Sequence, residues 1–308
     1  TNLRRFGTVY ADVVDAPAIV SGSITVGTAP LSSDAVGNHW WGLGALDAIT
    51  TGTDNIAIGE NAGTALTGGI ENVLIGEYAG GALTTGSRNI GLGKSSNRYV
   101  TAANDNIAIG ISALAQNIAT NSNVAIGSYA LNNKTSNSGS VAIGQDAGRQ
   151  MTTSLGGTFI GHQAATTMAG ASDHYNTHIG YQAGRYATGA SLGRNTSLGH
   201  GALSNSTSGN ANVAVGYLAS SNIGSTGATV AIGGEALTSN TASNNVAVGT
   251  QAGYANVTGQ YLTAIGHSAG KLQAGVTDDN NTWVGYLSGS VANGSSLGRN
   301  TAVGSSAG

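Results

Sequence analysis

Asn55-Ile56-Ala57-Ile58-Gly59-Glu60-Asn61-Ala62-Gly63 returns, with variations, along most of the chain. Asn72 to Gly80 reads NVLIGEYAG, Asn123 to Leu131 reads NVAIGSYAL, and Asn245 to Gly253 reads NVAVGTQAG. One glycine per copy fixes the register: Gly42, Gly59, Gly76, Gly93, Gly110, Gly127, Gly144, Gly161, Gly180, Gly199, Gly216, Gly233, Gly249, Gly266, Gly285 and Gly304. These sixteen copies step by 17 residues seven times, then by 19, 19, 17, 17, 16, 17, 19 and 19. A fixed period of this length marks a repeat architecture, in which one unit cannot bury its apolar face but a stack can. Only the segment between motifs changes length, so the insertions belong to a turn.

Each column of the repeat has a physical reading. The residue before the glycine is apolar in all sixteen copies, from Trp41 through Ile58 and Ile143 to Val303. Two residues earlier the side chain is mostly β-branched, as at Ile56, Val124, Thr177 and Val246. Positions two apart share one face of a strand, so both columns are expected to face a core. The position between them, mostly alanine (Ala57, Ala108, Ala125, Ala142), is then expected to meet a neighbouring chain closely. The glycine marks a corner where a backbone without Cβ is easiest. Three residues on, alanine recurs in fourteen of sixteen copies, which implies a second tight inner position. Asparagine opens the motif in twelve copies and is expected to bond to its equivalent one coil away. Thr, Ser, Gly and Asn fill the remainder, as in Thr84-Thr85-Gly86-Ser87, and read as turn.

The expected fold is therefore all-β, a parallel β-solenoid (β-roll) of about sixteen coils of 16–19 residues. At a rise of about 4.8 Å per coil it makes a rod on the order of 75 Å long. Residues 1–37 lie outside the repeat and read as a β-rich cap or attachment segment, with residues 38–308 as the shaft.

Composition narrows the function. Glycine, at 50 residues, is about twice its usual share, and charged residues, at 8%, are about a third of theirs. Net charge is −3 with no run of Lys or Arg, so no nucleic-acid partner is expected. No apolar run reaches the length of a membrane span, so no membrane insertion is expected. With no cysteine, disulfides and thiolate metal sites are excluded.

Asn123-Val124-Ala125-Ile126-Gly127 resembles the head repeat of trimeric autotransporter adhesins. The longer form with its Thr-Thr-Gly turn, Gly76 to Gly86, resembles repeats of phage tail fibres and tail-associated host-binding proteins. The resemblance covers roughly residues 38–308 and implies a left-handed parallel β-roll, three chains side by side as a homotrimer. The period exceeds the adhesin's, which favours the phage form. It implies a non-enzymatic fibre or host-receptor-binding component of a phage tail, located in the virion, presenting loops to a cell-surface glycan or receptor. Residues 1–37 would then meet tail or baseplate proteins. The alternative is a bacterial cell-surface adhesin or self-assembling extracellular filament subunit.

No motif carries catalytic chemistry. Gly91-Leu92-Gly93-Lys94-Ser95 resembles the end of a phosphate-binding loop, but Arg88 stands where its first glycine is needed, and Gly93 is simply the repeat glycine. Gly189-Ala190-Ser191-Leu192-Gly193 and Gly294-Ser295-Ser296-Leu297-Gly298 match a hydrolase nucleophile pattern, yet both sit in one duplicated 19-residue turn. No cofactor is expected. His174 and His178 are weak metal candidates; His178 could meet its equivalents at a threefold axis. The residue after each corner glycine is the candidate surface-binding column: His162, Tyr181, His200, Tyr217, His267 and Tyr286. Aromatic faces suit sugar rings, whereas the plainer reading is a half-exposed ladder. Trp40, Trp41 and Trp283 replace Ala, Ile and Ala of the pattern and are expected in core or inter-chain contacts.

Overall fold

The structure, a computed structural model, describes residues 24–26, 29–116, 120–135, 138–152, 155–167, 174–186, 193–206, 209–224, 227–272, 279–291 and 298–308. Among them every regular element is a strand. β1 (Ile24–Val26) and β2 (Ala29–Ser33) form an antiparallel pair, and β2 pairs antiparallel with β3 (His39–Trp41). Sixteen three-residue strands, from β3 to β18 (Thr301–Val303), then stack in parallel, one per coil and in strict sequence order. The chain is thus a parallel β-solenoid. Register never slips: Ile56, Ala57 and Ile58 lie against Val73, Leu74 and Ile75 of the next coil, and Val246, Ala247 and Val248 against Thr263, Ala264 and Ile265.

The corner glycines carry the turn. All sixteen have φ between +127° and +138°, a region closed to L side chains. Stacking adds a second constraint. A Cβ on Gly110 would lie 2.6 Å from the carbonyl carbon of Gly127, and one on Gly59 2.7 Å from that of Gly76. Corner therefore rests on corner, backbone to backbone.

Which strand face is buried differs from the sequence expectation. Ala57 is completely buried, whereas Ile56 is 37% exposed; every described alanine of that central column is inside, apart from Ala302 in the last coil. The alanine column faces the interior of its own coil, not a neighbouring chain, and the Ile/Val/Thr columns face outward. A coil of about seventeen residues encloses so thin an interior that only one small side chain per strand fits. Its counterpart across the coil is the second alanine column (Ala62, Ala79, Ala113, Ala130), also fully buried, as expected.

Size is balanced across this interior. Where the central strand residue is alanine, leucine often stands four residues after the glycine, as with Ala108 and Leu114 or Ala125 and Leu131. Where it is Leu74, His178 or Trp283, glycine takes that place, and opposite Phe159 it is alanine, Ala165. A Cβ on Gly80 would sit 2.7 Å from Leu74, and one on Gly184 2.6 Å from the His178 ring. Trp283, buried, faces Gly289 in the same way; Trp40 packs half-buried on the core and Trp41 is exposed. Interiors at near-crystalline density leave little slack for two large residues at one level, and in the first coil, where Leu46 is buried, Trp40 is only half-buried.

Asparagine forms the expected ladder. Asn55 Nδ2 donates to Asn38 Oδ1 (2.9 Å) and to the Gly69 carbonyl (2.8 Å), and Asn38 Oδ1 also accepts from the Asn55 backbone N–H (3.0 Å). The pattern repeats through Asn72, Asn89, Asn106 and Asn123, all fully buried. A buried amide satisfied on every side is worth retaining, because each lost partner leaves an unpaired group in a dry interior.

Candidate binding surface

The residue after each corner glycine points outward, and coil stacking brings these residues into one column. His162, Tyr181, His200 and Tyr217 form one continuous stack, with ring centroids 5.3, 5.0 and 5.3 Å apart and interplanar angles of 10°, 10° and 25°. His267 and Tyr286 form a second stack at 5.5 Å and 27°. All six predicted residues thus belong to ladders, but to two ladders and not one. Gly234 and Thr250 occupy the column between them. Tyr181 and His200, with a ring on either side, present only their edges to solvent, whereas each ring at a ladder end has one face without a ring partner in the stack.

The earlier part of this column and other outer columns follow the same rule of pairing between adjacent coils. Lys94 Nζ meets Glu77 Oε2 at 2.8 Å, and Arg88 forms a two-point contact with Asp105 at 2.6 and 3.0 Å. Gln182 Nε2 donates to Gln163 Oε1 (2.9 Å), and Gln251 Nε2 to Glu235 Oε2 (2.7 Å). Arg98 lies over the rings of Tyr78 and Tyr99 at 4.6 and 5.1 Å, and Arg149 over Tyr129 at 4.8 Å.

The two candidate metal histidines are not brought together as ligands. His174 lies in a turn, where its Nδ1 accepts from the Leu155 N–H (3.1 Å) and its ring meets Tyr175 edge-on. His178 lies inside its own coil, stacked on Phe159 at 5.9 Å, with Nδ1 2.7 Å from Ser197 Oγ. It faces away from any surface where three chains could meet, because its column is the interior one. Burial pulls its pKa down to about 4, so the ring is neutral at pH 7. Lys134, on the inner column otherwise held by Leu66, Leu83 and Met151, is fully buried, and burial lowers its ammonium to about 8. Among the described residues no group of three or more His, Cys, Asp or Glu could hold a metal ion, and no helix is long and apolar enough to cross a membrane. Residues 189–192 and 294–297 of the two serine motifs, and most of residues 1–37, lie outside the described residues.

A further regularity was legible in the sequence but escapes a search by single repeats. Thr158-Phe-Ile-Gly-His162, Thr177-His-Ile-Gly-Tyr181 and Thr196-Ser-Leu-Gly-His200 return 105 residues later as Thr263-Ala-Ile-Gly-His267, Thr282-Trp-Val-Gly-Tyr286 and Thr301-Ala-Val-Gly-Ser305. Three coils form a module, and the chain carries it twice. Comparing the chain with itself at long offsets, not only at the coil period, finds it. No protein-family model, curated protein or solved structure matches this chain.

Proposed function

We propose that this chain is a non-enzymatic structural fibre of the phage-tail type, working as a side-by-side homotrimer that spans distance rigidly and presents its ring ladders and turns to a cell surface. The observation that carries the reading is the outward strand face. Its β-branched and aliphatic columns run the length of the rod, half-exposed, with Ile143 at 37%, Ile232 at 39% and Leu198 at 47%. A strip about 72 Å long and about 10 Å wide offers on the order of 700 Å² per chain, close to what each partner of a standard interface covers. Contiguous apolar patches of that size mark interaction surfaces. The repeat resemblance supports three chains, packed through the Ile/Val columns and not through alanine.

Light scattering on the purified chain tests it. Three times 30.2 kDa is the expected mass, and Ile143→Glu with Ile232→Glu is expected to lower it. A monomeric mass for the unaltered chain would sink the reading. The same rod could serve as a cell-surface adhesin, and immunogold labelling decides: gold on tail particles supports the virion, gold on cells the adhesin.

A further inference from the structure

We propose that the break in the ring column at Gly234 is a slot for one pyranose ring of a surface glycan, seated on the free face of Tyr217. The inference deepens the surface-presenting part of the reading above and rests on it. Within the ladder no ring face is open, so face-on sugar stacking is confined to ladder ends. Tyr217 is such an end. One of its faces covers His200, and the other looks towards the level of Gly234, where no side chain stands. Tyr217 as a whole is 55% exposed.

The dimensions select the guest. At Gly234 the only atom within 4 Å of a would-be Cβ is Thr250 Cγ2, at 3.9 Å, so that place is open. Tyr217 and Thr250 are two coil rises apart, about 9.6 Å at the strand spacing. Contacts of about 3.5–4.0 Å on each side leave a slab about 2 Å deep for the guest's own atoms. A chair with equatorial hydroxyls fits such a slab, its C–H groups against the tyrosine face. One bearing axial groups on both faces does not. One polar side chain adjoins the gap in the chain. Glu235 follows Gly234 in the chain, and its Oε2 is held by Gln251 Nε2 at 2.7 Å, leaving Oε1 to accept from sugar hydroxyls.

Filling the slot is the direct test. Gly234 is not among the positive-φ residues, and its column already holds tyrosine at 217 and 286, so Gly234→Tyr continues the ladder without backbone conflict. Methyl β-D-glucopyranoside at about 10 mM is the probe, in a range where one weak site reads out, followed by saturation-transfer NMR and titration. Saturation transfer from the unaltered protein to the pyranoside is expected, with a loss of about tenfold or more in affinity in Gly234→Tyr and in Tyr217→Ala, the scale of one aromatic stacking contact. Tyr181→Ala, inside the ladder, should bind as the unaltered protein does. Gly234→Gln, using the residue type found at Gln145, is the second blocking variant should the tyrosine disturb the fold. Undiminished binding in the folded blocking variants, or no transfer from the unaltered protein to the pyranoside, overturns the slot. Trimeric rods that coat cells yet give no transfer overturn the slot and leave the fibre standing. Monomers that bind the pyranoside do the reverse.

Discussion

The first seven steps of the rod and the last eight are built on one interior and dressed differently outside. Between Gly42 and Gly161 every step is 17 residues, the asparagine ladder runs unbroken from Asn38 to Asn123, and the outer columns carry paired charges such as Lys94 with Glu77 and Arg88 with Asp105. Beyond Gly161 four steps lengthen to 19, Thr229 and Leu262 interrupt the asparagines, and the outer column turns to stacked rings. The corner glycine and the small inner positions hardly change across that boundary. Backbone stacking and interior volume therefore set the coil, whereas an outer side chain need only suit its neighbours one coil above and below.

The sharpest way to break this comparison is at the corner. Gly110→Ala is expected to cost about 4 kcal/mol, since both φ and the approach to Gly127 forbid the methyl group. Gly304→Ala should cost about half as much, because only Ala307 Cβ, at 3.8 Å, stands near the added group. Chemical denaturation of both variants checks the pair, and equal losses would mean that stacking contributes nothing. Next comes the ladder. Asn106→Ala removes the acceptor of the Asn123 N–H and the donor to the Thr120 carbonyl, for an expected loss of about 3 kcal/mol.

Acid separates the two halves by a comparable amount. In the unfolded chain His178 takes up a proton below its ordinary 6.5; in the folded chain it does so only near 4. Its contribution is thus fully present above pH 6.5 and is lost as pH falls towards 4, by up to about 3 kcal/mol. His178→Phe, a residue already accommodated one coil earlier at Phe159, should remove that part of the acid sensitivity. Hydrogen exchange at pH 7 and pH 4.5 reads it locally, and an unchanged pH response in the variant would refute the assignment. The smallest effect is a gain. Thr229 Oγ1 is buried without a protein partner, and Thr229→Asn would offer an acceptor to the next coil, worth about 1 kcal/mol in melting experiments.

Sequence alone disclosed the period, the strand, the corner and the asparagine ladder, because each of these is a constraint on backbone. It misassigned the strand faces for a physical reason. Large apolar residues are usually inside, but a coil this thin has no volume for Ile56 and Ile58 together, and the uniformly small Ala57 column was the signature of the true interior. The size exchange between Leu74 and Gly80, or Ala125 and Leu131, was present in the letters and marks that interior too. For the candidate site, the six ring residues could be read from the repeat column, but their partition into two ladders depends on Gly234, a residue that draws no attention until its neighbours are stacked.

Because every coil rests only on the one before and the one after, the rod is graduated. Insertions of two residues leave the strand register untouched, as the pairing across the 19-residue steps shows. Length can therefore change only in whole rungs of about 4.8 Å. Deleting residues 111–127 would move everything beyond by one rung while returning Gly110 to rest on Gly144. The molecule is a ruler whose divisions are glycines, and the module that recurs after 105 residues stands six divisions along it.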